Sequence, residues 1–315
     1  MTDKEKYIIF CRDHRDIPCF YQPKWLDVVC NGTWDVVCAY DQSDDIVAFM
    51  PVYHTKKYSI SAITNPRLTP YQGVYFVERS DFVNQQKKQS HLFKALHQII
   101  HKLGNPAFFK VKFHTSFDMW LPFYYAGFKQ TTFYSYVLHD IKNHEKIFNG
   151  FKSTRRNIIR KAEITLRITE SEDIDILYSL LQKTFNKKSE KIPFDLSYLQ
   201  RINDVMKEQR TILLAVDEKQ NIHAGIFILF DQKRAYNLLF GTDFRYSDSG
   251  ASSFLMWEAI KYASKKVDIF DFEGSRLPTI QPFFQSFGGT PTPYFEIYRA
   301  KNKVWEIIFS FLKKM

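Results

Sequence analysis

The chain has 315 residues, of which 45% are hydrophobic and 25% are charged. This length and composition predict a globular protein of two ordinary domains, each large enough to bury its own core. The net charge of +10 favours a polyanionic partner such as tRNA, a nucleotide phosphate or an anionic membrane surface. The N-terminus lacks the apolar core of a secretory signal, and no apolar run approaches the roughly 20 residues that span a bilayer. We therefore expect a cytoplasmic protein.

The four cysteines lie within the first 38 residues and form no CxxC pair. A chain of this length needs no disulfide staples, and the nine histidines show no zinc-ligand spacing with the cysteines. We expect no metal site and reduced, mostly buried thiols at Cys11, Cys19, Cys30 and Cys38.

The first half of the chain alternates strands with one strong helix. Two strand-like segments, 36–39 and 46–52, flank the polar turn at 41–45 and predict a hairpin. Apolar residues then recur at helical spacing over 92–103, which predicts an amphipathic helix. A strand is expected over 108–113. An aromatic segment follows it, Pro122-Phe123-Tyr124.

The second half repeats this order of elements. Strand-like segments at 212–215 and 222–230 flank the polar turn at 217–221, and an amphipathic helix follows around 255–263. At one constant offset, Ala39, Asp41, Ile46 and Ala48 match Ala215, Asp217, Ile222 and Ala224. At another, Pro122, Phe123, Thr132 and Tyr134 match Pro282, Phe283, Thr292 and Tyr294. The shared order predicts that the chain contains one fold twice.

The junction between the halves is not a flexible linker. It is a basic segment, expected to form a helix over 148–162 whose residues Phe151, Ile158, Ile159 and Ala162 can face inward, and a strand is expected over 164–169. The prediction is an N-terminal domain over 1–145, a C-terminal domain over 146–301 and a short amphipathic helix over 302–315. This last segment sets apolar and aromatic residues among lysines. It either lies at the surface of the inner membrane or docks on the protein's own surface.

In the C-terminal half, a strand, a glycine-containing loop, a helix and a second strand follow one another. The two strands are expected over 235–240 and 267–273. Because the loop leads directly into the helix, backbone N–H groups and the helix dipole point at its start. Such a loop presents N–H groups to a phosphate beside a cleft. We expect it to bind the phosphates of a donor through Ser247, Ser249, Gly250, Ala251 and Ser252.

The basic segment is the strongest electrostatic feature of the sequence. Residues 142–167 hold eight Lys or Arg and two Glu. On a helix, Lys152, Arg156 and Arg160 lie along one stripe, with Arg155 beside it. Like charges at this spacing repel, which favours a bound anion, whereas composition alone favours a solvated basic face.

Several segments together carry a family resemblance. The basic helix contains Arg155-Arg156-Asn157-Ile158-Ile159-Arg160-Lys161-Ala162. The C-terminal half closes on Phe270-Asp271-Phe272-Glu273-Gly274-Ser275, then Phe283-Phe284-Gln285-Ser286-Phe287-Gly288-Gly289 and Pro293-Tyr294-Phe295. The first half contains Asn65-Pro66-Arg67-Leu68-Thr69-Pro70-Tyr71-Gln72-Gly73. In combination these segments, spread from about Phe20 to Tyr298, resemble the FemAB-type transferases, and the last one is similar to a loop of Bacteroidetes-like members.

The resemblance implies an α/β fold (α+β in finer schemes) of two tandem N-acetyltransferase-like (GNAT) domains, each a mixed twisted sheet flanked by helices. It implies transfer of an acyl or aminoacyl group onto an amine, related to the cell wall or to lipids, with no tightly bound cofactor. The donor is aminoacyl-tRNA in peptidoglycan-bridge members and acyl-CoA in GNAT relatives, and an acyl carrier is a third choice. Splayed strands of the C-terminal domain would admit this donor. Its phosphates would also contact Lys152, Arg155, Arg156 and Arg160, and the acceptor would contact Tyr71, Gln72 and Tyr294.

Two features depart from the acetyltransferase pattern. The tyrosine that protonates a thiolate leaving group in many acetyltransferases would fall near Phe284, which has no proton to give. Only Gly250, Ala251 and Ser252 approximate the small residues of the usual phosphate loop. The first half has no glycine before its helix. We therefore expect the N-terminal domain to be structural or acceptor-binding and the C-terminal domain to bind the donor.

Three carboxylates could remove a proton from the attacking amine. Asp271 and Glu273 lie two residues apart on a strand and share a face, and Asp243 follows the other central strand. The alternative is structural, through pairing with Arg245 or Arg276 or capping of the next turn. We favour this alternative for Asp271, and both interpretations stay open for Glu273. The competing function is a non-catalytic RNA-binding module, which would show salt-sensitive binding that does not depend on these carboxylates.

Overall fold

The computed structural model describes residues 1–57, 60–78, 84–274, 280–302 and 304–306. The chain divides into two compact units: unit 1 comprises Met1–Phe133 with Pro293–Met315, and unit 2 comprises Tyr134–Thr292. The C-terminal segment thus returns to unit 1, and residues 134–145 lie in unit 2. Among the described residues, no helix is long and apolar enough to cross a membrane.

In chain order, the first elements are α1 (Asp3–Asp13), α2 (Pro23–Val29), β1 (Asp35–Tyr40), β2 (Ile46–Val52), β3 (His54–Lys57), β4 (Ile60–Thr64), β5 (Tyr75–Phe76), α3 (Gln85–Leu103), β6 (Phe108–Lys112), α4 (Leu121–Tyr125) and β7 (Lys129–His139). They are followed by α5 (His144–Asn149), α6 (Ser153–Thr165), β8 (Leu166–Ser171), α7 (Ile174–Lys187), α8 (Leu196–Val205), β9 (Arg210–Asp217), β10 (Ile222–Phe230), β11 (Arg234–Thr242), α9 (Ala251–Ala263), β12 (Ile269–Asp271), α10 (Gln281–Gln285) and β13 (Thr290–Ala300).

Most of the longer helices begin at a side chain that accepts a backbone N–H of the first turn. Thr2 does so for α1, Asn84 for α3, Asp173 for α7 and Asp195 for α8. These side chains satisfy N–H groups that have no partner inside the helix. Helix α9 begins differently, at Gly250, with no side-chain cap.

Unit 1 contains two small sheets. In the first, β1 and β2 form the predicted antiparallel hairpin, and β5 pairs with the other edge of β2. In the second, β3, β4, β6 and β13 follow one another, with β4 parallel to β6 and β13 antiparallel to it. Pairing of β13 with β6 explains why the C-terminal segment belongs to unit 1. Helix α3 buries Ala95, Leu96, Ile99 and Leu103 in a core with residues of these strands.

Unit 2 contains a sheet in the order β7-β12-β11-β10-β9-β8. Strands β8 to β11 form an antiparallel meander, β12 is parallel to β11, and β7 is antiparallel to β12. Pairing of β7 with β12 over Val137–His139 explains why the residues just before position 145 belong to unit 2.

The helices of unit 2 pack on its sheet. Ala224, Ile226 and Ile228 of β10 join a core that also contains α9. Gly225 lies between them in the alternation and meets α7, where an added Cβ would lie 2.9 Å from Leu180 Cδ1. Gly241 of β11 meets the same turn of α7, so the two glycines let this helix approach the sheet closely.

The structure confirms the α/β class, the mixed sheets flanked by helices, and both hairpins. The basic segment differs in detail from the prediction, because it forms two helices, α5 and α6. Ile164 lies in α6 and not in the following strand, and Ile158, expected to face inward, is 39% exposed. Of the predicted tail helix, only residues 302 and 304–306 are described.

The four cysteines are free thiols. Cys19, Cys30 and Cys38 are buried, and Cys11 is half-buried. Burial raises the pKa of Cys11, Cys30 and Cys38 to about 12, so these thiols are unreactive at neutral pH.

Candidate functional site in unit 2

Two parallel strands of unit 2 separate along their length. Strand β11 pairs with β12 only at Arg234, Ala235 and Tyr236, and β12 ends at Asp271, the partner of Tyr236. The chain then stays with β7, because the Phe272 N–H donates to the Tyr136 carbonyl at 3.0 Å. From position 237 to 242, β11 therefore has no partner in β12. We call the space between the two diverging segments the strand opening.

A β-bulge lies where the opening begins. Phe227 of β10 pairs with Leu239 of β11, but Ile228 pairs with Asn237, so Leu238 is an extra residue. A bulge bends its strand and increases the local twist. The other edge of β11 remains bonded to β10 as far as Thr242. On the edge toward the opening, the Thr242 N–H donates to Thr184 Oγ1 at 2.8 Å. An amide-containing ligand can pair as an added strand with the backbone groups of this edge that precede Thr242.

Helix α9 starts shortly after β11 ends. A 3₁₀ turn over Phe244–Ser249 leads to Gly250, whose φ of 74° lies in the left-handed region. An added Cβ there would lie 2.9 Å from Ile158 Cγ2, so both the backbone and the packing require glycine. The Ser249 hydroxyl accepts the Ala251 N–H at 3.3 Å. Ser247 is exposed and Ser252 is half-buried at this helix start.

The four basic candidates of α6 and its N-cap have different environments. Arg155 is half-buried, donates to Ser253 and Ser286, and lies over the rings of Phe283 and Phe287. Burial lowers its pKa from the ordinary value. Arg156 donates to the carbonyls of Asn149 and Phe151. Lys152 and Arg160 are exposed. The last two can meet a ligand in solution, whereas Arg155 and Arg156 mainly hold α6 in place.

Glu273 lies in a tight turn just past the end of β12. Its φ of 52° is in the left-handed region, which is costly for a residue with a side chain. The Glu273 N–H donates to Asp271 Oδ1 at 2.9 Å, and the Gly274 N–H donates to Ser135 Oγ at 3.1 Å. An added Cβ on Gly274 would lie 1.9 Å from the Tyr134 carbonyl oxygen. These contacts fix a half-buried carboxylate beside the strand opening in a strained conformation.

Asp271 is fully buried and holds this turn together. Its Oδ2 pairs with Arg234 Nη1 at 2.9 Å, and its Oδ1 accepts from the Ser135 hydroxyl as well as from the Glu273 N–H. Since both oxygens are engaged, this geometry fits the structural interpretation of Asp271.

Asp243 is also buried, at the end of β11. Arg245 Nη2 lies 2.6 Å and Lys183 Nζ lies 2.7 Å from its Oδ2. Hydrogen bonds from Arg245, then from Lys183, hold the pKa of this carboxyl well below its usual range. A carboxylate with so low a pKa is a weak base at neutral pH. The three residues lie at one end of a groove of about 500 Å³ along α7.

The acceptor-side candidates lie in unit 1. Tyr71 is buried, with its ring edge-on to those of His114 and Tyr294 at centroid distances of 5.4 and 5.1 Å. Gln72 is fully buried: its N–H donates to the Lys112 carbonyl, and its own carbonyl accepts from the Tyr21 hydroxyl. Within the described residues, neither side-chain polar atom of Gln72 has a hydrogen-bond partner. Such an amide is suited to a ligand that offers both a donor and an acceptor.

Three residues of the site were not among the predicted ones. Lys183 and Ser135 reach it from elements far away in sequence, so no local pattern indicates them. Asn237 is different: it is a single polar residue within the apolar run of β11, and that interruption is visible in the sequence. It is 7% exposed and lies where the strands diverge.

Comparison with known proteins defines the class. Residues 146–278, in unit 2, match the family described as "Acetyltransferase (GNAT) domain". At the level of sequence, no curated protein matches the chain.

Three solved structures share the fold over nearly the whole chain. FemX is similar at a TM-score of 0.67 and 14% identity, covering 94% of this chain and 96% of that one. A C-terminal (DUF2156) domain of a putative lysylphosphatidylglycerol synthetase from Agrobacterium fabrum is similar at 0.58 and 13%, covering 98% and 96%. L-PGS from Bacillus licheniformis is similar at 0.53 and 10%, covering 99% and 97%. The chain therefore shares its fold with FemX, as the resemblance of its motifs predicted.

Proposed function

We propose that the protein is an N-acyltransferase that moves an acyl or aminoacyl group from an activated donor onto an amine. The strand opening between β11 and β12 is the observation that carries this proposal. The edge of β11 toward this opening can hold an extended, amide-containing chain. Glu273 lies in the segment on the other side of the opening. The GNAT match of unit 2 and the FemX-type fold support the same class of reaction.

We assign the phosphates of the donor to the start of α9. The backbone N–H groups of Gly250, Ala251 and Ser252 lie there, and the N-cap Gly250 has no side chain to bond them. The Ala251 N–H makes a long contact of 3.3 Å with Ser249 Oγ, so the helix dipole can act on a bound anion. Exposed Lys152 and Arg160 add positive charge in the same unit. Acyl-CoA and aminoacyl-tRNA share this phosphate chemistry, and the GNAT match favours acyl-CoA as the first donor to test.

We assign proton removal to Glu273. An amine that enters as R–NH₃⁺ gives one proton to the Glu273 carboxylate, and the neutral nitrogen attacks the donor carbonyl. The C–N bond forms, the carbonyl bond to the thioester sulfur or ester oxygen breaks, and the second nitrogen proton goes to the leaving group. Asp271 positions Glu273 through its N–H, and the low pKa of Asp243 makes it the weaker candidate.

The acceptor is proposed to contact unit 1 through Tyr71, Gln72 and Tyr294. The unpartnered amide of Gln72 supports this assignment, because a buried amide without hydrogen bonds is costly unless a ligand meets it. The amine-bearing acceptor is thus expected to carry an amide or a comparable pair of donor and acceptor groups.

Substitution of Ser252 by Asp tests the donor site. A negative charge in the first turn stabilises a helix but repels a bound phosphate, so the variant should stay folded. We expect the affinity for acyl-CoA, or retention of aminoacyl-tRNA, to fall by about tenfold or more. Gln86→Asp at the equivalent position of α3 is the matched control and should bind the donor normally. Equal losses in both variants would count against a phosphate site at α9.

Substitution of Glu273 by Gln tests the base. General-base catalysis contributes about 10²- to 10⁴-fold, so kcat should fall within that range while the donor affinity stays unchanged. Glu218→Gln, in the exposed turn after β9, removes a carboxylate elsewhere and should leave kcat unaltered. Unaltered turnover in Glu273→Gln would remove the proposed base. Salt-sensitive RNA binding by a protein that transfers no acyl group would favour the RNA-binding alternative.

A further inference from the structure

Asn237 occupies a special position in β11. It is the first residue of the strand beyond the last pair with β12, and the β-bulge at Leu238 follows it directly. Its neighbours along the strand are apolar, and its side chain is 7% exposed. A polar side chain in such a place needs a hydrogen-bond partner.

The structure supplies no such partner for the carbonyl of this side chain. Asn237 Oδ1 is buried, and within the described residues no N–H or O–H group lies at hydrogen-bonding distance from it. Burying a carbonyl oxygen without a hydrogen bond destabilises a fold, and an apolar residue of the same shape would avoid that cost. A buried group of this kind calls for an explanation, and a functional role is one of those known.

The register of the strands relates Asn237 to Glu273. Tyr236 pairs with Asp271, so continued pairing would set Asn237 opposite Phe272 and Leu238 opposite Glu273. The pairing stops instead, with Asn237 one residue beyond its end on β11 and Glu273 two residues beyond its end after β12. An amine nitrogen held between these two residues can transfer one proton to Glu273 and donate a hydrogen bond to Asn237.

We infer that Asn237 binds the reacting amine, with Oδ1 accepting a hydrogen bond from its N–H. This inference rests on the proposed transferase function and names a substrate-binding residue within it. Deprotonation by Glu273 leaves two N–H bonds on a primary amine. One of them stays directed at Asn237, which turns the nitrogen lone pair toward the donor carbonyl, and the other proton departs with the leaving group. A tertiary amine lacks these protons and is excluded as a substrate.

Substitution of Asn237 by Leu gives a test that needs no knowledge of the substrate. Because Leu removes the unsatisfied carbonyl at nearly constant volume, the equilibrium constant for unfolding should fall by about tenfold. The measurement is urea denaturation of the protein without ligands. A less stable Asn237→Leu protein would show that this side chain already has a partner in the fold, such as a bound water, and would overturn the inference.

Kinetics provide the second arm. In Asn237→Leu, KM for the amine should rise by about tenfold or more, while the donor affinity stays unchanged. Asn237→Asp retains an acceptor oxygen and should recover most of the amine affinity. The matched control is Asn203→Leu in α8, since Asn203 Oδ1 is equally buried and unpartnered within the described residues but α8 lies outside the opening.

The outcomes separate the two proposals. A wild-type protein that binds no donor would refute the transferase function itself. A protein that loses activity in Glu273→Gln but keeps its amine KM in Asn237→Leu would preserve that function and overturn the role of Asn237. A rise in KM that Asn203→Leu reproduces would also overturn it, because the effect would then be general.

Discussion

The two units each contain a parallel strand pair followed by a break, but only one of the breaks is open. In unit 1, β4 ends at Thr64, and the Asn65 side chain continues the pairing with β6. Its Oδ1 accepts the Lys112 N–H at 2.8 Å, and the Gln72 N–H donates to the Lys112 carbonyl at 2.8 Å. In unit 2, β11 runs on past the end of β12, and within the described residues no strand pairs with that edge, although the Thr242 N–H donates to Thr184 Oγ1 at 2.8 Å.

The helices that accompany these strands differ in the same sense. Asn84 caps α3 in unit 1 by accepting the Lys87 N–H at 2.9 Å, whereas Gly250 begins α9 in unit 2 without a side-chain cap. The same order of elements therefore occurs twice. In unit 1 the chain bonds these backbone groups itself, whereas in unit 2 it leaves some of them available. This difference supports the proposal that the donor binds in unit 2.

The largest expected effect concerns the buried pair at the end of β12. Asp271→Asn should destabilise the protein by about 3–5 kcal/mol, because it removes the buried carboxylate that pairs with Arg234 and accepts from Ser135 and from the Glu273 N–H. Asp268→Asn, three residues earlier in an exposed pair with Lys142, should cost less than about 1 kcal/mol. Urea denaturation measures both. Similar values would mean that the turn at Glu273 is not held by Asp271.

The second prediction concerns Asp243 and the stability of the protein at acid pH. Its folded pKa lies below the unfolded value of about 3.9, so its stabilising effect is complete above about pH 4 and is lost as the pH falls toward the folded pKa. Asp243→Asn should cost about 2 kcal/mol at neutral pH and flatten the acid limb of the stability curve. Asp248→Asn is the control in the same loop. An unchanged acid limb would disprove the assignment.

The third prediction tests whether the Asn65 side chain extends the pairing of β4 with β6 in unit 1. Asn65→Ala removes the side-chain bonds to Lys112 and should cost about 1–2 kcal/mol. Faster hydrogen exchange of the Lys112 amide would report a newly opened edge. Asn105→Ala, whose side chain is exposed, should alter neither quantity. Unchanged hydrogen exchange of the Lys112 amide would mean that the Asn65 side chain does not continue the pairing of β4 with β6.

The smallest effect distinguishes the helix starts. Asn84→Ala should destabilise the protein by about 1 kcal/mol through the loss of its cap. Ser249→Ala should cost less than about 1 kcal/mol, because it removes one hydrogen bond to the Tyr246 carbonyl at 2.7 Å and a long contact with the Ala251 N–H at 3.3 Å. A larger loss of stability in Ser249→Ala than in Asn84→Ala would mean that Ser249 caps α9. The start of α9 would then be less suited to bind a phosphate.

Sequence periodicity predicted both hairpins, helices α3 and α9, and the strands that diverge in unit 2. These elements are set by local alternation and by turn residues, which a sequence displays directly. Helices α1, α2, α7 and α8 were not predicted. Ile164 was assigned to a strand, but the helix of α6 continues through it.

The site itself was predicted less completely, for a physical reason. The conformation of Glu273 depends on Ser135 and Asp271, and the pKa of Asp243 depends on Lys183, sixty positions away. Arg155 contacts rings that follow it by more than a hundred residues. Such contacts exist only after folding. Arg276, the other expected partner of the carboxylates, lies outside the described residues.

The extra residue at Leu238 sets the bend of β11. Its removal would leave Asn237 opposite Ile228 and Leu239 opposite Phe227, so the side chains on both sides of the deletion would keep their faces and their partners in β10. Gly241 would stay against α7. The local bend and the added twist would be lost, because both come from the extra residue. A variant that lacks Leu238 should therefore fold normally and differ from the natural protein in the course of β11 along the opening.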